Sequence, residues 1–302
     1  MSPVAEIALL EDEFPADQLA VVARLRSRFR GALLGLALGE ALAAPAQYLR
    51  RGTFAPVRDL LGGGPFDLPP GAWADDTALA LHVARSLLAQ GGCDPVDQRE
   101  RYRRWQRDAD GSATGECLGI SAGTSRALVD GMPSSLIPDS AEVLTRVAPL
   151  VLWHYADEPA LLRDVTLMAG VTTHESATGS ATAEFAQLVL RALRGTDPTR
   201  SLPVATGSLG AGTASCPAQR MLDEVRAAMH GAQNWKDAVL RAVNEGGDAD
   251  VRAAATGQLA GALFGVESIP ASWLSRLAQR EAIQELADAL LAEVLVRLEA
   301  EG

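Results

Sequence analysis

Glycines spaced four residues apart in an apolar segment constrain the fold of this chain most. The segment "DQLAVVARLRSRFRGALLGLALGEAL" (17–42) keeps its apolar residues at helical spacing, which predicts a long helix. Gly31, Gly35 and Gly39 fall on one face of that helix. Because glycine has no side chain, this face lets a second helix approach closely, and the chain is expected to be built from packed helices.

The rest of the chain also favours helices. Aromatic residues make up only 5% of the sequence, while alanine, leucine, valine and glycine dominate, and no convincing stretch alternates apolar and polar residues as a strand does. No internal repeat or interdomain linker is evident. We therefore predict a single all-α domain of about ten helices over residues 17–302, preceded by an acidic leader over residues 1–16 that is expected to be poorly ordered.

Charge and composition exclude several classes of protein. The formal net charge of −11 argues against nucleic acids and anionic membranes as partners, since both require a basic surface. The longest apolar stretch (31–46) is interrupted by Glu40 and is shorter than the ~20 residues that span a bilayer, so we expect no membrane anchor. The acidic N-terminal stretch is unlike a signal peptide, and the three cysteines form no CxxC pair. We expect a cytoplasmic protein.

Two pairs of carboxylates stand at predicted helix starts, each just after glycine. "GAWADDTALAL" contains Asp75 and Asp76, and "GGDADVRAAATG" contains Asp248 and Asp250. Each pair is explained by helix capping alone, because aspartate accepts the free N–H groups of a first helical turn. If the two helix starts face each other, the four carboxylates repel one another and a cation would relieve the repulsion. Hard oxygen ligands of this kind select Mg²⁺, Mn²⁺ or Ca²⁺.

Several stretches, in this order, resemble the ADP-ribosylglycohydrolase family. They are "RFRGALLGLALGEALAAPAQ", "PGAWADDTALAL", "DPVDQRERYRRW", "TGECLGISAGTSRAL", "TRVAPL", "TTHESA" and "AVNEGGDADVRAAATGQLAGALFG".

The resemblance implies a compact domain of orthogonally packed helices. It also implies a cleft holding two Mg²⁺ or Mn²⁺ ions, in which ADP-ribose is released from a modified protein side chain by hydrolysis. By position, Asp75, Asp76, Asp248 and Asp250 correspond to metal-binding aspartates. Asp75, Asp76 and Glu40 are the candidate catalytic residues, Glu40 standing where the family usually has aspartate.

Five changes depart from the family's usual pattern. Ala74 and Val251 replace threonines next to the metal-binding aspartates, so two hydroxyl ligands are missing. Gln47 replaces an acidic residue and cannot serve as a base. Gly119 stands where the family usually has aspartate, and the usual Asn-Gly is replaced around Ala141 and Glu142, so Glu142 introduces a new carboxylate.

These observations leave three hypotheses open. The first is an active, metal-dependent hydrolase of ADP-ribosyl N- or O-glycosidic bonds. The second is a catalytically degenerate member that binds ADP-ribose, a nucleotide or no ligand, with Asp75 and Asp248 serving as helix caps. The third is another Mg²⁺-dependent helical enzyme of the prenyl-pyrophosphate type, which Leu79 disfavours because an acid is needed at that position.

Four further residues are candidates for ligand binding. Ser121, Gly123 and Thr124 form a predicted helix start whose N–H groups suit an anion such as phosphate. His174 precedes another predicted helix and is a candidate contact to phosphate or base, although a partly buried structural histidine is the more common explanation.

Overall fold

Twelve α-helices make up most of the protein in the computed structural model, which describes residues 16–133, 136–137, 140–197 and 216–301. No β-strand occurs in these ranges; only two isolated β-bridges do. The all-α class predicted from the sequence is confirmed, while residues 1–15 of the predicted leader lie outside the described residues. The helices are α1 Ala16–Ala43, α2 Asp75–Gln90, α3 Pro95–Asp108, α4 Ala122–Asp130, α5 Val147–Trp153, α6 Glu158–Ala169, α7 Ser176–Leu193, α8 Pro217–Met229, α9 Trp235–Val243, α10 Ala249–Phe264, α11 Ala271–Leu274 and α12 Arg280–Glu301.

The glycine face of α1 packs against α10. A methyl group added at Gly31, Gly35 or Gly39 would collide with a backbone carbonyl of α10, and Gly257 and Gly261 of α10 meet α1 in the same way. The two backbones are therefore in direct contact, as close as glycine permits. Because α1 and α10 lie against each other along their length, the start of α10 lies beside the end of α1.

Helix α1 is apolar because it lies in the core of the protein. The stretch Gln18–Ala46 is long and apolar enough to cross a membrane, yet 89% of its most apolar window is buried inside the fold. Most of the buried apolar side chains of the described residues join one continuous core, which α1 crosses. Leu33, Leu36 and Leu38 of α1 have no exposed surface. The hydrophobic effect thus fixes this helix at the centre of the domain.

Candidate active site

The first carboxylate pair opens helix α2, and a residue of α1 caps that helix. Ala74, which precedes α2, provides no side-chain cap. Glu40 takes its place: Oε1 accepts the N–H groups of Ala74 (3.0 Å) and Asp76 (3.2 Å), and Oε2 accepts that of Thr77 (2.9 Å). A carboxylate at a helix N-terminus also opposes the helix dipole favourably. Glu40, predicted as a catalytic residue, is thus engaged through both oxygens with backbone N–H groups, and it is not among the described residues that line the cleft.

The second pair opens α10 after a glycine turn. Gly246 and Gly247 have φ of 68° and 60°, a region that side chains disfavour. Asp248 is the cap residue of α10 by position, but its side chain makes no capping hydrogen bond. Helix capping therefore does not account for the carboxylate of Asp248.

The carboxylates from the two helix starts converge. Burial raises the pKa of Asp75 well above its usual value, and the neighbouring charges of Glu142, Glu40 and Asp250 raise it further. Burial likewise raises the pKa of Asp76, followed by the charge of Asp75. For Asp250, burial is the main cause of a pKa raised to about 7. Like charges in a buried cleft disfavour one another's ionised forms.

Two carboxylate oxygens in this cluster have no partner among the described residues. Oδ2 of Asp76 and Oδ1 of Asp250 are buried and accept no hydrogen bond. Their companion oxygens are engaged: Thr145 donates to Oδ1 of Asp76 (3.0 Å), and the Gln47 amide donates to Oδ2 of Asp250. A buried carboxylate oxygen without a donor is costly, so each of these oxygens is suited to a cationic ligand.

Glu142 adds a fifth carboxylate, held firmly in place. Its Oε1 accepts hydrogen bonds from Ser121 Oγ (2.8 Å), Thr124 Oγ1 and Arg146 Nη2 (2.8 Å), and the Arg146 side chain is fully buried. Ser121 and Thr124, which are predicted to contact a ligand, thus hold Glu142 in place, and Ser121 also lines the cleft. Oε2 of Glu142 accepts none of these bonds, and Glu142 is part of the cleft lining.

The departure at Gly119 has a steric cause. Gly119 has φ of +89°, and a Cβ atom there would collide with Oδ1 of Asp75. No aspartate fits at this position while Asp75 keeps its orientation. Glu142, from a different segment, brings a carboxylate to the same neighbourhood, as its effect on the pKa of Asp75 indicates.

These groups surround a cleft of about 450 Å³. The described lining includes Tyr48, Asp75, Ser121, Glu142, Arg220, Glu224, Asp248, Asp250 and Arg252, but not Asp76. Neither Gly123 nor His174 belongs to the described lining, and His174 is exposed elsewhere on the surface.

The cleft carries positive as well as negative charge. Arg252 pairs with Glu224 (2.6 Å) and donates to the carbonyl of Gly246 (2.7 Å), which braces the glycine turn before Asp248. Arg220 lies in the same lining. The cleft is thus suited to a ligand that has both anionic and cationic parts.

The carboxylates are near one another without forming a finished metal-binding cluster. Among the described histidines, cysteines, aspartates and glutamates, no three are grouped as ligands for one ion. The missing hydroxyls at Ala74 and Val251 agree with this incomplete arrangement.

Two functional residues were missed by sequence reasoning. Thr145 orients Asp76, and Tyr48 lines the cleft beside the carboxylates. Thr145 stands in the motif "TRVAPL", which resembles the family but does not indicate that Thr145 contacts Asp76. Tyr48 follows Gln47 directly, and nothing in its immediate sequence indicates that it reaches the cleft.

Comparisons with known proteins agree with this geometry. The family profile described as ADP-ribosylglycohydrolase matches residues 22–299. The ADP-ribosylarginine hydrolase Tri1 of Serratia proteamaculans (strain 568) is 33% identical over 290 residues, covering 86% of this chain and 78% of that protein. The ADP-ribosyl-[dinitrogen reductase] glycohydrolase of Rhodospirillum rubrum is 29% identical over 295 residues, covering 89% and 97%.

A solved structure has the same fold. The structure titled ADP-ribosylglycohydrolase-related protein complex aligns with a TM-score of 0.75 and 35% identity, covering 90% of this chain and 99% of that one. The profile match spans nearly the whole chain, and the two helix starts meet in one acidic cleft. The chain belongs to the ADP-ribosylglycohydrolase family.

Proposed function

We propose that this chain hydrolyses the bond between ADP-ribose and an arginine side chain of a modified protein. The single observation that carries the proposal is the convergence of Asp75, Asp248, Asp250 and Glu142 on one cleft, with Asp76 buried beside them. The similarity of this chain to two ADP-ribosylarginine hydrolases, from Serratia proteamaculans and Pseudomonas putida, supports arginine as the modified side chain.

The proposed reaction is the addition of water across an N-glycosidic bond. The water oxygen bonds to the anomeric carbon of the ribose, and the bond from that carbon to the guanidino nitrogen breaks. The bonding pair and one proton go to the departing nitrogen. Positive charge develops on the sugar in the transition state, and fixed carboxylates stabilise it.

Asp250 is the candidate to orient the attacking water. The Gln47 amide occupies Oδ2 and leaves Oδ1 without a partner among the described residues, so one oxygen is oriented and the other is available. Thr145 orients Asp76 in the same manner.

We also propose that the cleft holds a divalent cation, Mg²⁺ or Mn²⁺. The donor set fits, since Asp76 Oδ2 and Asp250 Oδ1 are buried oxygens without partners and hard cations prefer carboxylate oxygens. Asp75, Asp76, Asp248 and Asp250 would hold the ion. When bound, such an ion offsets carboxylate repulsion and makes a water molecule more acidic.

The test is hydrolysis of an ADP-ribosylated arginine peptide by purified protein with Mg²⁺ or Mn²⁺. We expect Asp75→Asn and Asp250→Asn each to lower kcat/KM by about 10² or more, because each removes a charge next to the reacting centre. The matched control is Asp97→Asn on α3, which removes the same charge from a partly buried pair with Arg101 that is not in the described cleft lining. Wild-type rates in both cleft variants would contradict the proposal.

A second candidate function is binding of ADP-ribose without hydrolysis. The observation that favours it is the amide of Gln47 on Asp250, together with the absence of an assembled three-ligand cluster among the described residues. Calorimetry separates the two candidates: binding of ADP-ribose by a protein that releases no product from the arginine peptide with either metal supports the second.

A further inference from the structure

Tyr48 has a backbone conformation that its residue type disfavours. Its φ is +61°, in the left-handed region where a side chain is strained. Of the four described non-glycine residues with positive φ, Tyr48, Asp67, Ala109 and Gln279, only Tyr48 lines the cleft. Strained residues persist where the surroundings hold them, and they cluster at functional sites.

Hydrogen bonds to the second carboxylate turn hold this conformation. The N–H of Tyr48 donates to the carbonyl of Gly247 (2.7 Å), and the N–H of Gly247 donates to the carbonyl of Leu49 (2.8 Å). Gly246 contacts Leu49 so closely that a side chain at Gly246 would collide with it. The loop that carries Tyr48 is therefore joined to the loop that carries Asp248.

Core packing does not explain the strained conformation. The residue is 59% exposed, so its ring contributes little to the hydrophobic core. Tyr48 instead belongs to the lining of the cleft, together with Asp75, Asp248 and Asp250. Partial burial and the charges of Asp250, Asp75 and Asp248 raise the pKa of its phenol to about 12. An exposed aromatic face beside three carboxylates is an arrangement that suits an organic cation.

We propose that Tyr48 is a specificity-determining residue that holds the arginine guanidinium of the substrate between its ring and the carboxylates. This inference rests on the proposed hydrolysis of ADP-ribosylarginine and names the group that recognises its arginine side. A guanidinium is planar, stacks on aromatic rings and pairs with carboxylates. The same acidic surroundings repel phosphate, which leaves this part of the lining to the guanidinium.

The test compares three substitutions at Tyr48 in the full chain. Tyr48→Leu removes the aromatic face, and we expect KM for the ADP-ribosylated arginine peptide to rise about tenfold with little change in kcat. Tyr48→Phe keeps the ring and is expected to stay within about threefold of the wild-type KM. Tyr48→Gly removes the ring and also relieves the strain, so KM rises as in the leucine variant while the melting temperature does not fall.

The matched control is Ala109→Gly. Ala109 has φ of +56° at the end of α3 and is not in the described lining of the cleft. The Ala109→Gly substitution relieves the same kind of strain and is expected to leave KM unchanged. A structural role for Tyr48 would instead lower the melting temperature of both the leucine and glycine variants, and this outcome overturns the proposal.

Binding measurements separate this inference from the proposed function. Calorimetry compares ADP-ribosylarginine with ADP-ribose, which lacks the guanidinium, at low temperature and without metal. Weaker binding of ADP-ribosylarginine alone by Tyr48→Leu supports the assignment, whether or not wild-type protein hydrolyses the peptide. If Tyr48→Leu binds both ligands more weakly by the same factor, Tyr48 contacts the nucleotide or the ribose. If it binds both as the wild type does, Tyr48 takes no part in recognition. Either result overturns the assignment.

Discussion

At the residue scale, the acidic side chains at the two helix starts do not serve as helix caps. Position alone makes aspartate at a helix start a cap, yet Glu40 caps α2 from another helix and Asp248 makes no capping bond. Glu40 is far from α2 in the sequence, so capping preference did not identify this contact. The carboxylate of Asp75 lines the cleft and that of Asp76 is buried beside it, where burial and the neighbouring carboxylates raise the pKa of both.

Replacing Glu40 by alanine is expected to destabilise the protein by at least about 2 kcal/mol. The N–H groups of Ala74, Asp76 and Thr77 lose their acceptor in a buried setting, and an unsatisfied buried donor costs about 1–3 kcal/mol. Urea denaturation measures the change. The comparison variant is Asp94→Ala, which removes the exposed cap of α3 at a cost of about 1 kcal/mol. An equal or smaller loss in Glu40→Ala would show that the cap is not important.

At the scale of elements, the contact between α1 and α10 places the site. The glycine spacing in α1 correctly predicted a close helix partner, but that pattern does not name the partner. The structure pairs it with α10, whose Gly257 and Gly261 meet Gly35 and Gly31. Because Glu40 lies near the end of α1 and Asp250 near the start of α10, this pairing brings the α2 start and the α10 start to the same cleft.

Substitution of Gly257 by alanine is expected to disrupt this pairing. The added methyl group would overlap the carbonyl of Gly35, and the two helices would have to separate. We expect a loss of about 3 kcal/mol or more in the free energy of unfolding. Gly179→Ala within α7 is the control, because no atom lies within 4 Å of its added methyl group. Alanine there is expected to stabilise the helix by up to about 1 kcal/mol. Similar stabilities of the two variants would contradict the close approach.

At the scale of the whole molecule, charge is concentrated in the cleft as well as spread over the surface. The chain has a net charge of −11, and several buried carboxylates face one another inside it. Burial and repulsion raise their pKa values, so the metal-free fold is destabilised when they ionise. Protons and cations relieve the same repulsion.

This repulsion predicts a pH-dependent difference between the wild type and Asp250→Asn. The folded-state pKa of Asp250 is about 7, above its ordinary value of 3.8, so protonation favours the fold. Its stabilising contribution is complete below the unfolded pKa and is lost as the pH rises through about 7. Without metal at about pH 8, we expect Asp250→Asn to be more stable than the wild type by about 1–4 kcal/mol, and equal to it near pH 4.

Urea denaturation across this pH range, with and without Mn²⁺, provides the measurement. Added Mn²⁺ is expected to raise the free energy of unfolding of the wild type more than that of Asp250→Asn, because ligand binding to the native state stabilises it. If the difference in the free energy of unfolding between the wild type and Asp250→Asn stays constant with pH and metal, Asp250 does not share a charged site with the other carboxylates.

Local pattern in the sequence was sufficient for the fold class and for the principal acidic residues. Helical periodicity, the glycine face and the paired aspartates after glycine all depend on neighbours within a few positions, so the sequence displays them directly. The predicted number of about ten helices differs from the twelve of the described residues because short helices such as Ala271–Leu274 have too few turns to show periodicity.

Only the tertiary structure decided what each of these residues does. Glu40 caps α2, Ser121 and Thr124 hold Glu142, and Tyr48 lines the cleft. Each of these roles depends on contacts between segments far apart in the sequence. A side chain's hydrogen-bond partners and the charges around it depend on distance in space, which the packing of α1 on α10 sets. The sequence by itself therefore determined which acids are present and which helices they start, and the packing of those helices determined that they share one cleft.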